Sequence, residues 1–499
     1  MTAPKRPLNY YLDALGDQLC GCRGYPDADV GGVANDSRQV GQNFVFVAIR
    51  GWQFDGTQFI SDAVAAGAVS VVLEESAEVN IPPEINIIWV RNAYIALGLL
   101  AEAEYGYPTR NLELIGITGT NGKTTCATLL RNILADAGFK TGLISTVHYE
   151  IGDEVQPADR TTPMPLELQQ LFSRMVETGV EYVIMEVSSH ALDQRRLGSA
   201  EFRAGLFTNL TEDHCDYHLN MDNYFNAKQI LFNECMTNNS IVVVNGDDDY
   251  GTKLIENLNN SNAEYEIYSF GYTNDVDFRI EDCQLSVQGL KLQFSDNGEQ
   301  LPPMESPLIG DFNVENIAGV VCLARKLKVE HSSIVRAVAD FKGTEGRLQK
   351  LENGTGVHVV VDYAHTNDAL ENVLKTLRSL QPQRLYVVFG CGGDRDKGKR
   401  PLMGATAATL ADQVFVTSDN PRSESPAAIL DDIMNGIDDT SEVFCIEDRR
   451  EAINTAIKQA EPGSIVLIAG KGHEKFQERN GKKIAFDDVQ EAQKALGLR

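Results

Sequence analysis

Residues 119–125 read Gly-Thr-Asn-Gly-Lys-Thr-Thr, a glycine-rich turn that ends in a lysine and two hydroxyls. Such a turn offers backbone N–H groups to an anion, and a helix starting behind it adds the positive end of its dipole. Gly119, Thr120, Asn121 and Gly122 would cradle phosphates, and Lys123 would reach the terminal ones. Thr124 could place its hydroxyl on Mg²⁺, a cation that takes oxygen ligands and keeps several waters. Thr125 reads equally well as a helix residue. The general spacing G-x-x-x-x-G-K-[ST] is not met, because position 117 is Ile.

A carboxylate follows at Glu186, which closes the apolar run 182–185 and precedes Val-Ser-Ser-His190. The C-terminal end of a strand is where α/β sites form, so Glu186 is a candidate metal ligand as well as a candidate solvated strand end. Residues 208–218, Thr-Asn-Leu-Thr-Glu-Asp-His-Cys-Asp-Tyr-His, pack two histidines and several acids, and Asn-Tyr-Phe-Asn-Ala-Lys228 begins at 223. From these residues alone, functional and structural histidines are equally good readings.

The elements that must hold these groups follow from periodicity. The apolar, β-branched run 112–118 predicts a strand, and 123–137 a helix closed by Gly138. Further strands are expected at 182–187, 241–245, 357–362, 385–389, 414–417 and 464–469, alternating with helices as in parallel α/β sheets. Short strands at 45–49, 69–73 and 87–90 surround a helical stretch at 58–66 and predict a separate N-terminal α/β domain. Alternation over 275–294 predicts antiparallel strands with one wet face. A helix ending at Asp340 gives way to Gly343 and Gly346, which marks a further boundary.

Length agrees, since at roughly 100 to 200 residues per domain the 499 residues suggest about three. The fold class is α/β in three domains: an N-terminal α/β domain over 1–110, a central P-loop mononucleotide-binding α/β domain over 111–342, and a C-terminal Rossmann-like α/β domain over 343–499. With 43% apolar and 23% charged residues the composition is globular. A net charge of -27 disfavours nonspecific binding to nucleic acid or anionic membrane, so neither is expected as a partner. No apolar run long enough to span a bilayer occurs, and secretion is not expected. Nine scattered cysteines suit reduced thiols in a cytosol, which predicts a cytoplasmic protein.

Together these segments resemble the Mur ligase family, whose members carry G-T-N-G-K-T, E-V-S-S-H and T-N-L-T-x-D-H-x-D-Y-H before an A-K helix. The resemblance runs over nearly the whole chain and is nearest to the branch with D-S-R near the start and D-N-P-R and G-K-G-H-E near the end. Asp36-Ser-Arg38, Asp419-Asn-Pro-Arg422 and Gly470-Lys-Gly-His-Glu474 match these. It implies a ligase of peptidoglycan precursor synthesis that uses ATP as co-substrate. Meso-diaminopimelate would be added to UDP-N-acetylmuramoyl-L-alanyl-D-glutamate through an acyl phosphate. The three domains would then bind the UDP-sugar, ATP and the amino acid in chain order, and a monomer is expected.

The resemblance also implies residue roles. Lys123, His214 and Lys228 would be catalytic; His214 and Glu186 would hold one Mg²⁺, and Thr124 another beside the ATP phosphates. Lys228 resembles the lysine carbamylated by CO₂ in relatives, a change that makes a cation into an oxygen-bearing anion suited to Mg²⁺. That reaction needs a neutral amine, which burial favours. Asn313, Arg347, Asp362 and His365 would surround the nucleotide. The family's usual P-G-R is Glu345-Gly-Arg347 here, a departure expected to bear on the hinge before the third domain.

Ser37 and Arg38, after a strandless Gly31-Gly32 turn, would serve the UDP-sugar with Thr161, Thr162, Ser188, Gln194 and Arg196, although both threonines read equally as turn formers. Diaminopimelate differs from lysine by a carboxylate, and an arginine fork recognises carboxylate through two parallel hydrogen bonds. Arg422 is therefore the expected specificity residue, with Arg395, Asp419, Asn420, Pro421, Gly470 and Glu474 completing the site and Glu474 pairing with an amine. Asp-Asn-Pro is also good turn chemistry. Two competing readings are a folylpolyglutamate synthetase, which lacks the D-S-R, D-N-P-R and G-K-G-H-E segments, and a non-catalytic UDP-sugar sensor.

Overall fold

The computed structural model describes residues 6–51, 55–75, 80–261, 264–438 and 442–498. Residues 1–5 and 499, with which the first and third predicted domains begin and end, lie outside the described residues. The chain forms two compact units, Met1–Arg279 with Gly319–Ile334, and Ile280–Ala318 with Val335–Arg499.

In the first unit, the strands Gly32–Ala34, Phe44–Val47, Ala68–Glu74 and Asn86–Val90 run parallel, and Leu19–Arg23 closes the sheet antiparallel to the last. The expected strandless turn at Gly31-Gly32 is corrected here, because Gly32 opens an edge strand paired with Phe44. The helix Ala93–Tyr105 follows, with the Asn92 side chain accepting from the N–H groups of Tyr94 and Ile95. Its Glu102 is buried and accepts from Ser199 N at 2.7 Å, which fastens this helix to the loop after Arg196.

The second sheet of this unit places Glu113–Thr118 between Tyr182–Glu186 and Phe202–Phe207, all parallel. Thr141–Ile144 lies outside Tyr182–Glu186, and Met236–Asn245 and Glu266–Gly271 extend the other side. Leu114, Ile115 and Ile117 are almost wholly buried, as a strand covered on both faces requires. Register decides the rest: Glu186 lies opposite Ile117, and Phe207 opposite Thr118, so three strands deliver their C-terminal ends to one edge.

The second unit is built on the parallel strands His358–Asp362, Ile465–Ala469, Leu385–Phe389, Gln413–Val416 and Val443–Cys445, in that spatial order, with Gln349–Leu351 antiparallel at one edge. Successive residues feed two different cores. Val360, Val387, Leu467 and Val414 face one, and Val359, Val361, Val388, Val466 and Phe415 the other. Leu290–Asp296 pairs antiparallel with Met304–Ser306 and buries Leu290, Leu292 and Phe294 while Lys291 stays exposed, the one-sided pattern that the alternation predicted. Among the described residues no disulfide joins the cysteines, and no helix is long and apolar enough to cross a membrane.

Candidate active site

The phosphate loop leaves the central strand at Gly119, whose φ of +148° and close approach to Thr208 leave no room for a Cβ, which would sit 1.9 Å from Thr208 Oγ1. Gly122, at φ +84°, turns the chain into the helix Lys123–Asp136, whose N-terminus no side chain caps. That end keeps donors available for an anion. Lys123 Nζ folds back over its own loop, donating to the carbonyls of Gly119 at 3.0 Å and Thr120 at 2.8 Å. Thr124 and Thr125 both lie buried in the first turn.

The loop 208–218 is fastened to this turn by a ladder of hydrogen bonds. Thr120 N donates to Asn209 O at 2.8 Å, Asn121 N to Asn209 Oδ1 at 2.9 Å, and Thr208 Oγ1 to Asn121 O at 2.6 Å. Thr120 Oγ1 also lies 3.2 Å from the Tyr224 hydroxyl. Behind Tyr224, one turn along the helix Met221–Glu234, Lys228 reaches inward and donates to Gly119 O at 2.7 Å. Its Nζ sits 4.6 Å from the Tyr224 ring centroid. Lys228 is 1% exposed, and burial, reinforced by Lys123, pushes its ammonium well below the usual lysine value.

On the neighbouring strand end, Glu186 is wholly buried and accepts from Thr146 N at 2.7 Å and Thr146 Oγ1 at 3.1 Å, with no ion-pair partner among the described residues. Thr161 Oγ1 lies 3.1 Å from Thr146 Oγ1, and Thr162 Oγ1 donates to Glu186 O at 2.8 Å. Ser188 N donates to Thr162 Oγ1, and the Ser188 side chain caps the short helix Ser189–Asp193. Arg196 closes the group, donating to Thr162 O at 2.9 Å and through Nε and Nη2 to Gln194 Oε1. The structure thus brings Thr161, Thr162, Ser188, Gln194 and Arg196 together around the Glu186 strand end. Ser37 and Arg38 stand apart on a 3₁₀ turn, where exposed Arg38 pairs with Asp36 at 2.6 Å.

His214 adopts a left-handed backbone, φ +53°, at the start of the turn Cys215–His218. It meets His190 edge to face at 4.8 Å between centroids, and His190 also contacts Tyr217 at 4.3 Å and His218 at 5.4 Å. Burial, then the neighbouring imidazoles, lower His190 to about 4, and partial burial lowers His214 and His218. All three are therefore neutral near pH 7, able to accept a hydrogen bond or a metal ion. His190, Tyr217 and Tyr224 were not singled out in the sequence. The only signal was their place inside the two motifs already noted.

Among the described residues, no group of three or more His, Cys, Asp and Glu side chains could hold a metal ion. The residues present nevertheless fit Mg²⁺, which usually binds through one or two carboxylates plus water and phosphate oxygens. The observation that supports the fit is Glu186, a fully buried carboxylate with no ion-pair partner among the described residues.

The second unit carries two further groups. Asp362, buried, accepts from Leu348 N at 2.7 Å and Ala364 N at 2.8 Å, and desolvation raises it above the usual aspartate value despite Arg347 nearby. Arg347 lies over the Tyr363 ring at 5.0 Å, and His365 Nδ1 is 2.8 Å from Tyr363 O. Asn313 donates to Ile309 O at 2.8 Å. The departure at 344–347 has a physical account. Gly346, at φ +69°, packs so tightly that a Cβ would lie 2.2 Å from His473 N, and Glu345 pairs with Lys475.

Around the Asp419-Asn420-Pro421-Arg422 turn, Asn420 Nδ2 donates to Glu474 Oε2 at 2.8 Å, and Arg422 Nη1 donates to Gly393 O at 2.7 Å. Arg422 Nε is 3.6 Å from Glu478. Gly470 joins this turn to the other group, its N–H donating to Asp362 O at 3.1 Å. Arg395 is exposed on the adjacent loop. The buried ammonium at the centre, Lys471, was missed in the sequence because it lies inside a motif read only for its glycine and glutamate.

Three family models match this chain: the Mur ligase family catalytic domain over residues 29–105, the Mur ligase middle domain over 117–324, and the Mur ligase glutamate ligase domain over 346–472. Among curated relatives, UDP-N-acetylmuramoyl-L-alanyl-D-glutamate--2,6-diaminopimelate ligase of Solibacter usitatus is 43% identical over 474 residues, 94% of each chain. The enzyme of the same name from Trichormus variabilis is 41% identical over 475 residues, 94% of this chain and 95% of its own. A solved structure of a ligase so named is similar with a TM-score of 0.72 and 33% identity, covering 99% of both chains. With its phosphate loop, Glu186 strand end and 208–218 loop assembled at one sheet edge, and with likeness along almost its full length, the chain belongs to the Mur ligase family.

Proposed function

We propose that this protein is an ATP-dependent ligase of peptidoglycan precursor synthesis that adds meso-diaminopimelate to UDP-N-acetylmuramoyl-L-alanyl-D-glutamate. The observation that carries this reading is the full-length likeness to ligases of that name. The protein works in the cytoplasm, which nine cysteines without a disulfide among the described residues suit, and as a monomer.

Residues 1–110 serve the UDP-sugar, 111–342 ATP, and 343–499 the amino acid. Residues 119–125 cradle the phosphates, and Lys123 leaves its own loop carbonyls to neutralise charge on the transferred group. Asn313, Arg347, Asp362 and His365 are assigned to the nucleotide. Thr124, Glu186, His214 and carbamylated Lys228 would hold Mg²⁺, which when bound screens the phosphate oxygens. Ser37, Arg38, Thr161, Thr162, Ser188, Gln194 and Arg196 bind the muramoyl dipeptide.

The D-glutamyl side-chain carboxylate attacks the γ-phosphate to give an acyl phosphate and ADP. The acceptor amine then displaces phosphate and forms the amide. Positioning and electrostatics carry the catalysis, with no covalent enzyme intermediate. Arg422 and Arg395 bind acceptor carboxylate, Glu474 binds an acceptor amine, and Asp419, Asn420, Pro421 and Gly470 shape the pocket.

The test is phosphate release from ATP and Mg²⁺ with UDP-N-acetylmuramoyl-L-Ala-D-Glu, comparing meso-diaminopimelate with L-lysine. Turnover with diaminopimelate alone is expected. Turnover with lysine would overturn the role of Arg422, and release with neither would overturn the reading.

A further inference from the structure

Lys471 follows the strand Ile465–Ala469 and Gly470, and its side chain is 0% exposed. An ammonium has three protons to donate and cannot accept. Here all three have acceptors: Glu474 Oε2 at 2.9 Å, Asn420 Oδ1 at 3.2 Å and Asp419 Oδ1 at 3.4 Å. A lysine this buried persists only when its charge is paired and its donors are used.

The consequences fall on its partners. Asn420 Oδ1 accepts from both Lys471 Nζ and Glu478 N, the latter at 2.9 Å, so its amide can face only one way, with Nδ2 toward Glu474. Glu474 Oε2 is then engaged twice, by Asn420 Nδ2 and Lys471 Nζ, while Oε1 accepts nothing among the described residues and the side chain stays 24% exposed. Asp419 and Glu474 face the Lys471 ammonium and also feel the buried Arg449 guanidinium, which is itself paired with Asp488, so three carboxylates stand against two cations and one negative charge is left over, with Glu474 Oε1 open to accept. That suits one incoming cation.

We infer that Lys471 is the positioning residue of the amino-acid pocket. It does not touch the substrate, but it fixes the Asn420 amide and turns a single Glu474 oxygen toward the acceptor's ammonium. This rests on the proposed function, which assigns the pocket to the amino acid.

The experiment measures KM for meso-diaminopimelate, ATP and the UDP-muramoyl dipeptide in wild type and K471M. Wild-type turnover with diaminopimelate tests the underlying reading, and its absence would remove both. Given that turnover, K471M is expected to raise KM for diaminopimelate about tenfold or more, the scale of losing charge-assisted hydrogen bonds. KM for the other two substrates should stay within about twofold, since their assigned residues do not meet Lys471. Should K471M not accumulate as folded protein, K471R is measured instead. It keeps the charge but replaces a point donor by a planar fork, and the same selective rise is expected. A folded variant with unchanged KM for diaminopimelate, or with equal rises for all three substrates, would overturn the role.

Discussion

Lys228 Nζ donates to the carbonyl of Gly119, 109 residues earlier in the chain, at 2.7 Å. The contact ties the helix Met221–Glu234 to the first residue of the phosphate loop, and it leaves a buried amine where a charged one is disfavoured.

Lys228 should therefore take up CO₂, because the neutral amine is the reactive form and its share rises with pH. Protein equilibrated with carbon-13 bicarbonate is expected to show a carbamate resonance that K228A lacks, and K228A should lose about 100-fold or more in turnover. A wild-type spectrum without that resonance would exclude the modification.

Arg422 holds Gly393 O and lies beside Glu478, in the pocket proposed for the amino acid. R422A is expected to raise KM for meso-diaminopimelate by roughly 10- to 100-fold, the value of a charge-assisted pair, and to leave KM for ATP unchanged. Steady-state kinetics with each substrate varied in turn check this; an unaltered diaminopimelate KM would place specificity elsewhere.

Gly346 combines φ +69° with backbone 2.2–2.3 Å from where a Cβ would stand, at His473 N and Gly472 C. G346A should cost about 2 kcal/mol or more, since both the conformation and the space exclude a side chain. Thermal unfolding of the second unit's signal should move down by several degrees, and an unshifted transition would count against this packing.

His190 has a lower pKa folded, about 4, than the ordinary 6.5, owing to burial and then to His214, His218 and Arg196, opposed by Asp216. The unfolded chain then binds more protons between these values, so the stability from this group falls as pH drops from about 6.5 to 4 and is level below. H190Q should flatten the pH dependence of the melting temperature in that window. An identical dependence in both proteins would remove His190 as its source.

Much of the site could be read along the chain. A glycine-rich turn between an apolar strand and a helix is a local pattern, and residues 119–122 form that turn while Lys123, Thr124 and Thr125 open the helix. The strand end at Glu186 was legible for the same reason, since a buried strand reads as an unbroken apolar run. Gly32 was misread as a turn because a three-residue edge strand containing glycine carries almost no periodicity.

What the sequence by itself determined was local: which segments are strands and helices, where an anion would be met, and which residues have the chemistry to meet it. Only the tertiary structure decided which distant residues share a site. Glu113–Thr118 lies between two parallel partners whose register ends them together, and this brings Glu186, Thr208 and Gly119 to one edge. The same convergence seats Lys471 among Asp419, Asn420 and Glu474, about 50 residues away for the first two. Sheet order and register are set by the packing of whole faces, and no local spacing encodes them.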